Sequence, residues 1–237
     1  MTQNTRITIK TPIIVALDFD NESAAMSLVD SIDPSLCRLK VGKEMFTRFG
    51  PQFVSRLQQK GFEIFLDLKF HDIPHTVAKA VLSAADLGVW MTNVHTLGGP
   101  AMLEAASDAL KKQKAETLLI GVTLLTSMEQ NQLTAVGLQA TVQEQVVALA
   151  QLAKQQELDG VVCSAQEASL LEAKIPSPFL KVTPGIRPAG ADTHDQSRIM
   201  TPQKALEAGA DYLVIGRPIT QQTNPQAALE AIIAEIN

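Results

Sequence analysis

Short apolar runs alternate along the chain with longer segments in which apolar residues recur at helical spacing. The runs Ile13–Asp18, Cys37–Gly42, Phe62–Lys69, Val89–His95, Thr117–Leu124, Gly160–Ser164, Phe179–Thr183 and Tyr212–Gly216 read as eight strands. Between them, Thr76–Leu87, Ala101–Lys112, Thr141–Gln156 and Thr201–Ala208 read as helices. Gly61, Gly88 and Gly209 stand one to three residues ahead of a strand, where a helix end or turn belongs. Eight β–α units without a linker or composition break place the chain in the α/β class. They predict a (β/α)8 TIM barrel, one domain spanning residues 1–237. A doubly wound open sheet is the alternative, but the regular count of eight favours closure. The polar opening, MTQNTRITIK, reads as a loose lead-in.

One stretch departs from this plain alternation. Phe62–Thr76, FEIFLDLKFHDIPHT, begins as a buried strand and ends in Asp67, Lys69 and Asp72. Strand alternation puts Phe62, Ile64, Leu66 and Leu68 on one face, and Glu63, Phe65, Asp67 and Lys69 on the other. A strand covered on both sides is normally near-continuous in apolar residues, so charges at its end need a reason. A lone D-x-K is most simply a salt bridge closing the strand. The neighbouring strands change that reading. Asp18 ends the first, Lys40 lies near the end of the second, and Thr126 and Ser127 follow the fifth. In a (β/α)8 barrel the C-terminal strand ends carry the chemistry. Charged ends on three adjacent strands would meet on that rim, which points to a site.

The opposite half of the ring has a different character. The seventh strand runs into Pro184–Arg198, a long loop rich in Gly, Pro and polar residues that reads as a lid. The eighth ends in IGRPIT. Loops after strands seven and eight are the usual phosphate site of this fold, where backbone N–H groups face the anion. Arg217 would add a bidentate donor, and Gly216 would let the backbone approach closely. A turn with a surface arginine is the simpler alternative.

Composition narrows the class. Hydrophobic residues make up 46% of the chain and aromatics only 4%, so the core is ample and aliphatic. A net charge of −5 argues against a general nucleic-acid or membrane-surface binder, though a local basic cluster can still hold a small anion. Cys37 and Cys163 lie in apolar runs and read as buried thiols of a reducing compartment, without disulfide or metal spacing. There is no signal-peptide pattern and no apolar run near the roughly 18 residues a membrane span needs, so a cytoplasmic protein is expected. His71, His75, His95 and His194 show no metal-ligand spacing and are expected to be structural or solvated. Trp90 and Tyr212 read as strand packing, and Glu44 as a helix-start residue favoured by the dipole.

The segment DLKFHDIPHTV, with KVG before it and TPGIRP, DQ and IGRPI after it, closely resembles the orotidine 5′-phosphate decarboxylase family. The resemblance runs in order from Ile13 to Ile219. It implies decarboxylation of orotidine 5′-phosphate to uridine 5′-phosphate in pyrimidine biosynthesis, with no metal and no organic cofactor. It also implies a homodimer, with Asp72 and Thr76 reaching into the partner's site. By the same resemblance Lys69 is the proton donor, and Lys40, Asp67, Lys69 and Asp72 form an alternating charge array. Asp18, Lys40, Asp72, Ile73 and Thr76 fall among the substrate-binding positions, the first three and Thr76 at the ribose. Thr126 and Ser127 would hold the pyrimidine, and Pro184, Arg187, Gln196, Gly216 and Arg217 the phosphate and lid.

Two rivals remain. Metal-dependent relatives acting on sugar phosphates share D-x-K-x-x-D, but place an acidic metal ligand where this chain has Lys40. A Lys there would repel Mg²⁺. A barrel that only binds phosphorylated ligands would have no use for a buried proton donor such as Lys69.

Overall fold

Strands form where the apolar runs predict them: β1 (Ile13–Leu17), β2 (Arg38–Gly42), β3 (Ile64–Phe70), β4 (Met91–His95), β5 (Leu118–Val122), β6 (Gly160–Val162), β7 (Leu180–Thr183) and β8 (Tyr212–Ile215). In the computed structural model, which describes residues 11–175, 177–188 and 200–236, each strand pairs in parallel with the next. β8 pairs with β1, so the sheet closes into a barrel and the open-sheet alternative falls.

The predicted strands run long at several ends, and local hydrogen bonds explain why. Phe62 does not enter β3; its N–H returns to the carbonyl of Leu57 and helps end the helix Lys43–Gln59. Ser164 is not a strand residue. It caps the helix Ala165–Lys174, its N–H donating to Glu167 Oε2 at 2.8 Å. The predicted helices appear as Pro74–Asp86, Pro100–Gln113, Val142–Gln155 and Pro202–Glu207, with Thr141 and Thr201 as N-caps. Thr141 and Glu144 exchange hydrogen bonds in a capping box. Gly61, Gly88 and Gly209 have φ of +93°, +72° and +95°, the left-handed conformation that ends a helix before the chain turns into a strand.

Side-chain alternation divides the core in two. Ile13, Val15 and Leu17 of β1, with Leu39, Val41, Ile64 and Leu66, pack outward against the helices. Ile14, Ala16, Phe65, Met91, Ile120, Val182 and Val214 point inward and fill the barrel. Below them, Arg38 lies over Trp90 at 4.3 Å and Tyr212 at 5.2 Å, and pairs with Glu63 at 2.8 Å. The two aromatic rings meet edge-on at 5.0 Å. This cluster fills the barrel at its N-terminal end, opposite the strand ends that carry the charges.

Two stability predictions follow from the packing. A Cβ at Gly160 would lie 2.2 Å from the Leu180 carbonyl oxygen, and that backbone is fixed by sheet closure. Gly160→Ala should therefore destabilise the fold by about 1–3 kcal/mol. A lowered urea midpoint would show this, whereas an unchanged midpoint would contradict the close approach. Cys37 and Cys163 are buried, and burial pushes both thiols up to about 12. A thiol reagent at mildly alkaline pH should label neither in the native protein and both after unfolding. Native labelling would place one of them at the surface.

Candidate active site

The C-terminal ends of the first three strands bring four charges into one row. Lys40 Nζ lies 3.4 Å from Asp18 Oδ1 and 3.6 Å from Asp67 Oδ2, and Lys69 Nζ lies 2.6 Å from Asp67 Oδ1. The order is Asp18, Lys40, Asp67, Lys69, with signs alternating. Asp67 and Lys40 are each only 9% exposed, while Asp18 faces solvent. These side chains line a cavity of about 240 Å³ whose other wall is the start of the helix Lys43–Gln59, including Lys43 and Glu44.

Burial alone would push the Asp67 carboxyl up. Lys40, Lys69 and the hydrogen bonds from Lys69 and Asn93 outweigh it, so the group lies below the usual carboxylate range. A buried anion of this kind is costly unless paired and hydrogen-bonded on every side, and here both oxygens have partners. His95, at the end of β4, is held at about 4 by burial, and by His71, Lys43 and Lys69, against the opposing pull of Asp67. It is neutral at physiological pH, with its ring 5.5 Å from that of His71.

Lys69 reaches this position by an unexpected route. Simple alternation holds as far as Asp67 and then fails, because Lys69 has φ +53°. Leu66 pairs with Thr92 and Phe70 with Val94, so Asp67, Leu68 and Lys69 all lie opposite Asn93. The bulge turns the ammonium of Lys69 back onto Asp67. Asn93 fills the gap: its Oδ1 accepts from the Lys69 N–H at 2.8 Å, and its Nδ2 donates to Asp67 Oδ1 at 2.7 Å. The sequence reading overlooked Asn93, along with Lys43 and the cavity role of Glu44.

The remaining expected residues are distributed around the same rim. Asp72, Ile73 and Thr76 are exposed and do not line the cavity, with Asp72 Oδ1 accepting its neighbour Ile73's N–H at 2.6 Å. Within one chain the charge row therefore ends at Lys69. Thr126 and Ser127 form a turn after β5, the first half-exposed and the second exposed. Pro184 and Arg187 follow β7, and Ile186 forms a bridge with Met200 that ties the two ends of the long loop together. Arg187 is buried; its Nη1 donates to the Ile186 carbonyl, and its Nε has no hydrogen-bond partner among the described residues. Burial and the nearby Arg217 lower its pKa. Gly216 adjoins the charge row, since a Cβ there would come 3.8 Å from Asp18 Oδ2. Gln196, His194 and most of the expected lid lie outside the described residues.

Among the described residues no group of three or more His, Cys, Asp or Glu is placed to hold a metal ion, and no helix is long and apolar enough to cross a membrane.

Known proteins of similar sequence and fold point to one family. Residues 11–232 match the model of the orotidine 5′-phosphate decarboxylase / HUMPS family. The chain is 61% identical over 226 residues to orotidine 5′-phosphate decarboxylase of Vibrio atlanticus, covering 95% of this chain and 96% of that one. It is 57% identical over 224 residues to the enzyme of the same name from Saccharophagus degradans, covering 94% of each. The crystal structure of orotidine 5′-phosphate decarboxylase from Lactobacillus acidophilus superposes with a TM-score of 0.84 at 41% identity, over 95% of this chain and 99% of that one. A chain with this barrel, this row of charges and relatives of such similarity along nearly its whole length belongs to the orotidine 5′-phosphate decarboxylase / HUMPS family.

Proposed function

We propose that the protein is a carboxy-lyase that converts orotidine 5′-phosphate to uridine 5′-phosphate, a step of pyrimidine biosynthesis, without metal or organic cofactor. The observation that carries this reading is a buried carboxylate, Asp67, held between the ammonium groups of Lys40 and Lys69. Breaking the C6–carboxylate bond releases CO2 and leaves the bonding electron pair on C6. No ring carbonyl is placed to delocalise that pair well, so the site must stabilise it directly. Lys69 supplies a cation beside C6, then transfers an Nζ proton to form the C6–H bond. Water later returns a proton to the neutral amine.

Asp67 would face the substrate carboxylate. Two unit charges about 4 Å apart repel by roughly 4 kcal/mol at an effective dielectric near 20. Enzymes typically lower barriers by about 8–23 kcal/mol, so repulsion alone is not enough and carbanion stabilisation carries much of the rest. Arg187 and Arg217, with close backbone approach at Gly216, would supply the phosphate half of the site. Two neighbouring guanidinium groups, one with a buried Nε that has no partner among the described residues, favour an anion between them. Asp18 and Lys40 would bind the ribose, and Thr126 and Ser127 the pyrimidine.

The metal-dependent alternative fits the donor set poorly. Lys40 Nζ stands between the carboxylates of Asp18 and Asp67, where a divalent cation bridging them would have to sit. A homodimer would complete the site. Asp72, Ile73 and Thr76 are exposed on the same rim, and Ile73, Leu97 and Leu125 expose apolar surface on the segments after β3, β4 and β5. The test is to run the reaction in deuterium oxide and follow it by proton NMR. Uridine 5′-phosphate carrying deuterium at C6 supports the reading. Unchanged orotidine 5′-phosphate would refute it.

A further inference from the structure

We propose that Asn93 is a positioning residue that holds the Asp67–Lys69 pair in its reactive geometry by bridging the β3 bulge. The inference rests on the decarboxylase reading of the site. Asn93 is fully buried on β4, between Met91 and His95 on the inward face of the strand. It faces three residues of β3 at once, so backbone pairing cannot satisfy that segment by itself. Its amide has the two functions the gap demands, one acceptor and one donor. The acceptor takes the N–H of Lys69, whose left-handed backbone sets where the ammonium points. The donor takes one lone pair of the Asp67 oxygen that also receives Lys69 Nζ. One side chain thereby fixes the direction of the proton donor and the orientation of the carboxylate. An apolar residue of similar size would fill the space and leave both groups unpaired.

The electrostatic setting is crowded. Asp67 is faced by Lys40 from β2 with Asp18 of β1 behind it, by Lys69 on its own strand, and by His95 from β4. Lys43 and Glu44 close the cavity from the helix Lys43–Gln59. Losing the Asn93 donor removes one of the hydrogen bonds that keep Asp67 ionised, so its protonation moves to higher pH.

The experiment is a pH–rate profile on orotidine 5′-phosphate for the wild type, Asn93→Ala and Asn93→Asp, with product affinity and urea midpoint measured alongside. Asn93→Ala should lose about 10²-fold in kcat, the scale of a misplacement near 1 Å. Its KM and its affinity for uridine 5′-phosphate should change little, and its acid limb should move to higher pH. Asn93→Asp keeps the acceptor for the Lys69 N–H and donates to Asp67 only when protonated. Its deficit relative to wild type should therefore shrink as pH falls, and this variant decides the matter if Asn93→Ala is too unstable to assay. A kcat within a few-fold of wild type with an unmoved acid limb overturns the inference. So does a loss shared equally by kcat, product affinity and stability, which would mark a residue that only packs. If the wild type itself leaves orotidine 5′-phosphate unchanged, the functional reading fails; if only the variants behave as wild type, the role of Asn93 alone fails.

Discussion

Lys69→Ala is expected to fold and to lose about 10⁴-fold in kcat on orotidine 5′-phosphate. Two effects combine in that figure. Removing a positioned general acid costs roughly 10²–10⁴-fold. Removing a preorganised charge aimed at the developing carbanion costs about 10²–10³-fold more. The two are the same ammonium, so their product is an upper bound. Folding should survive, because Asp67 keeps Lys40 at 3.6 Å and the Asn93 donor at 2.7 Å. Affinity for uridine 5′-phosphate should be nearly retained, since the phosphate half of the proposed site lies across the barrel after β7 and β8. Single-turnover kinetics with product titration checks both parts. Near-wild-type turnover in a folded Lys69→Ala protein would remove Lys69 as the proton donor.

The second large effect concerns assembly. If Asp72 and Thr76 complete the partner's site, Asp72→Ala and Lys69→Ala should each be nearly inactive alone yet complement when mixed. In a two-fold dimer, random exchange makes about half the dimers mixed, and each mixed dimer has one intact site of its two. Unfolding and refolding the variants together should recover about one quarter of wild-type activity. No recovery, with exchange verified by mass spectrometry, would mean that each chain builds its site alone. The exposure of Asp72 in a single chain, outside the cavity lining, is what makes this outcome expected.

Much of this architecture was legible in the linear pattern, for identifiable reasons. Strands buried on both faces must be apolar throughout, so all eight stood out, and glycines with positive φ marked where helices end before β3, β4 and β8. The charges of Asp18, Lys40, Asp67 and Lys69 were conspicuous because they interrupt such strands. The errors were at the edges, where capping decides: Phe62 and Ser164 belong to helix ends that hydrogen bonds settle locally. What could not be read was the consequence of register. A bulge opposite Asn93 has no residue signature, and an Asn within MTNVH looks like any buried polar strand residue. The same holds for Arg38 between Trp90 and Tyr212, residues distant in sequence that only closure of the barrel brings together. Asp67 and Lys69 were rightly placed together, but through alternation, whereas the left-handed turn at Lys69 is what joins them.

The central claim is decarboxylation by the charge row itself, and the most direct test is the ultraviolet absorbance of orotidine 5′-phosphate mixed with EDTA-treated protein. A fast change to the spectrum of uridine 5′-phosphate, undiminished by the chelator, is the predicted result. No change under EDTA, with activity on a sugar phosphate once Mg²⁺ is restored, would contradict it and assign Lys40 a different role.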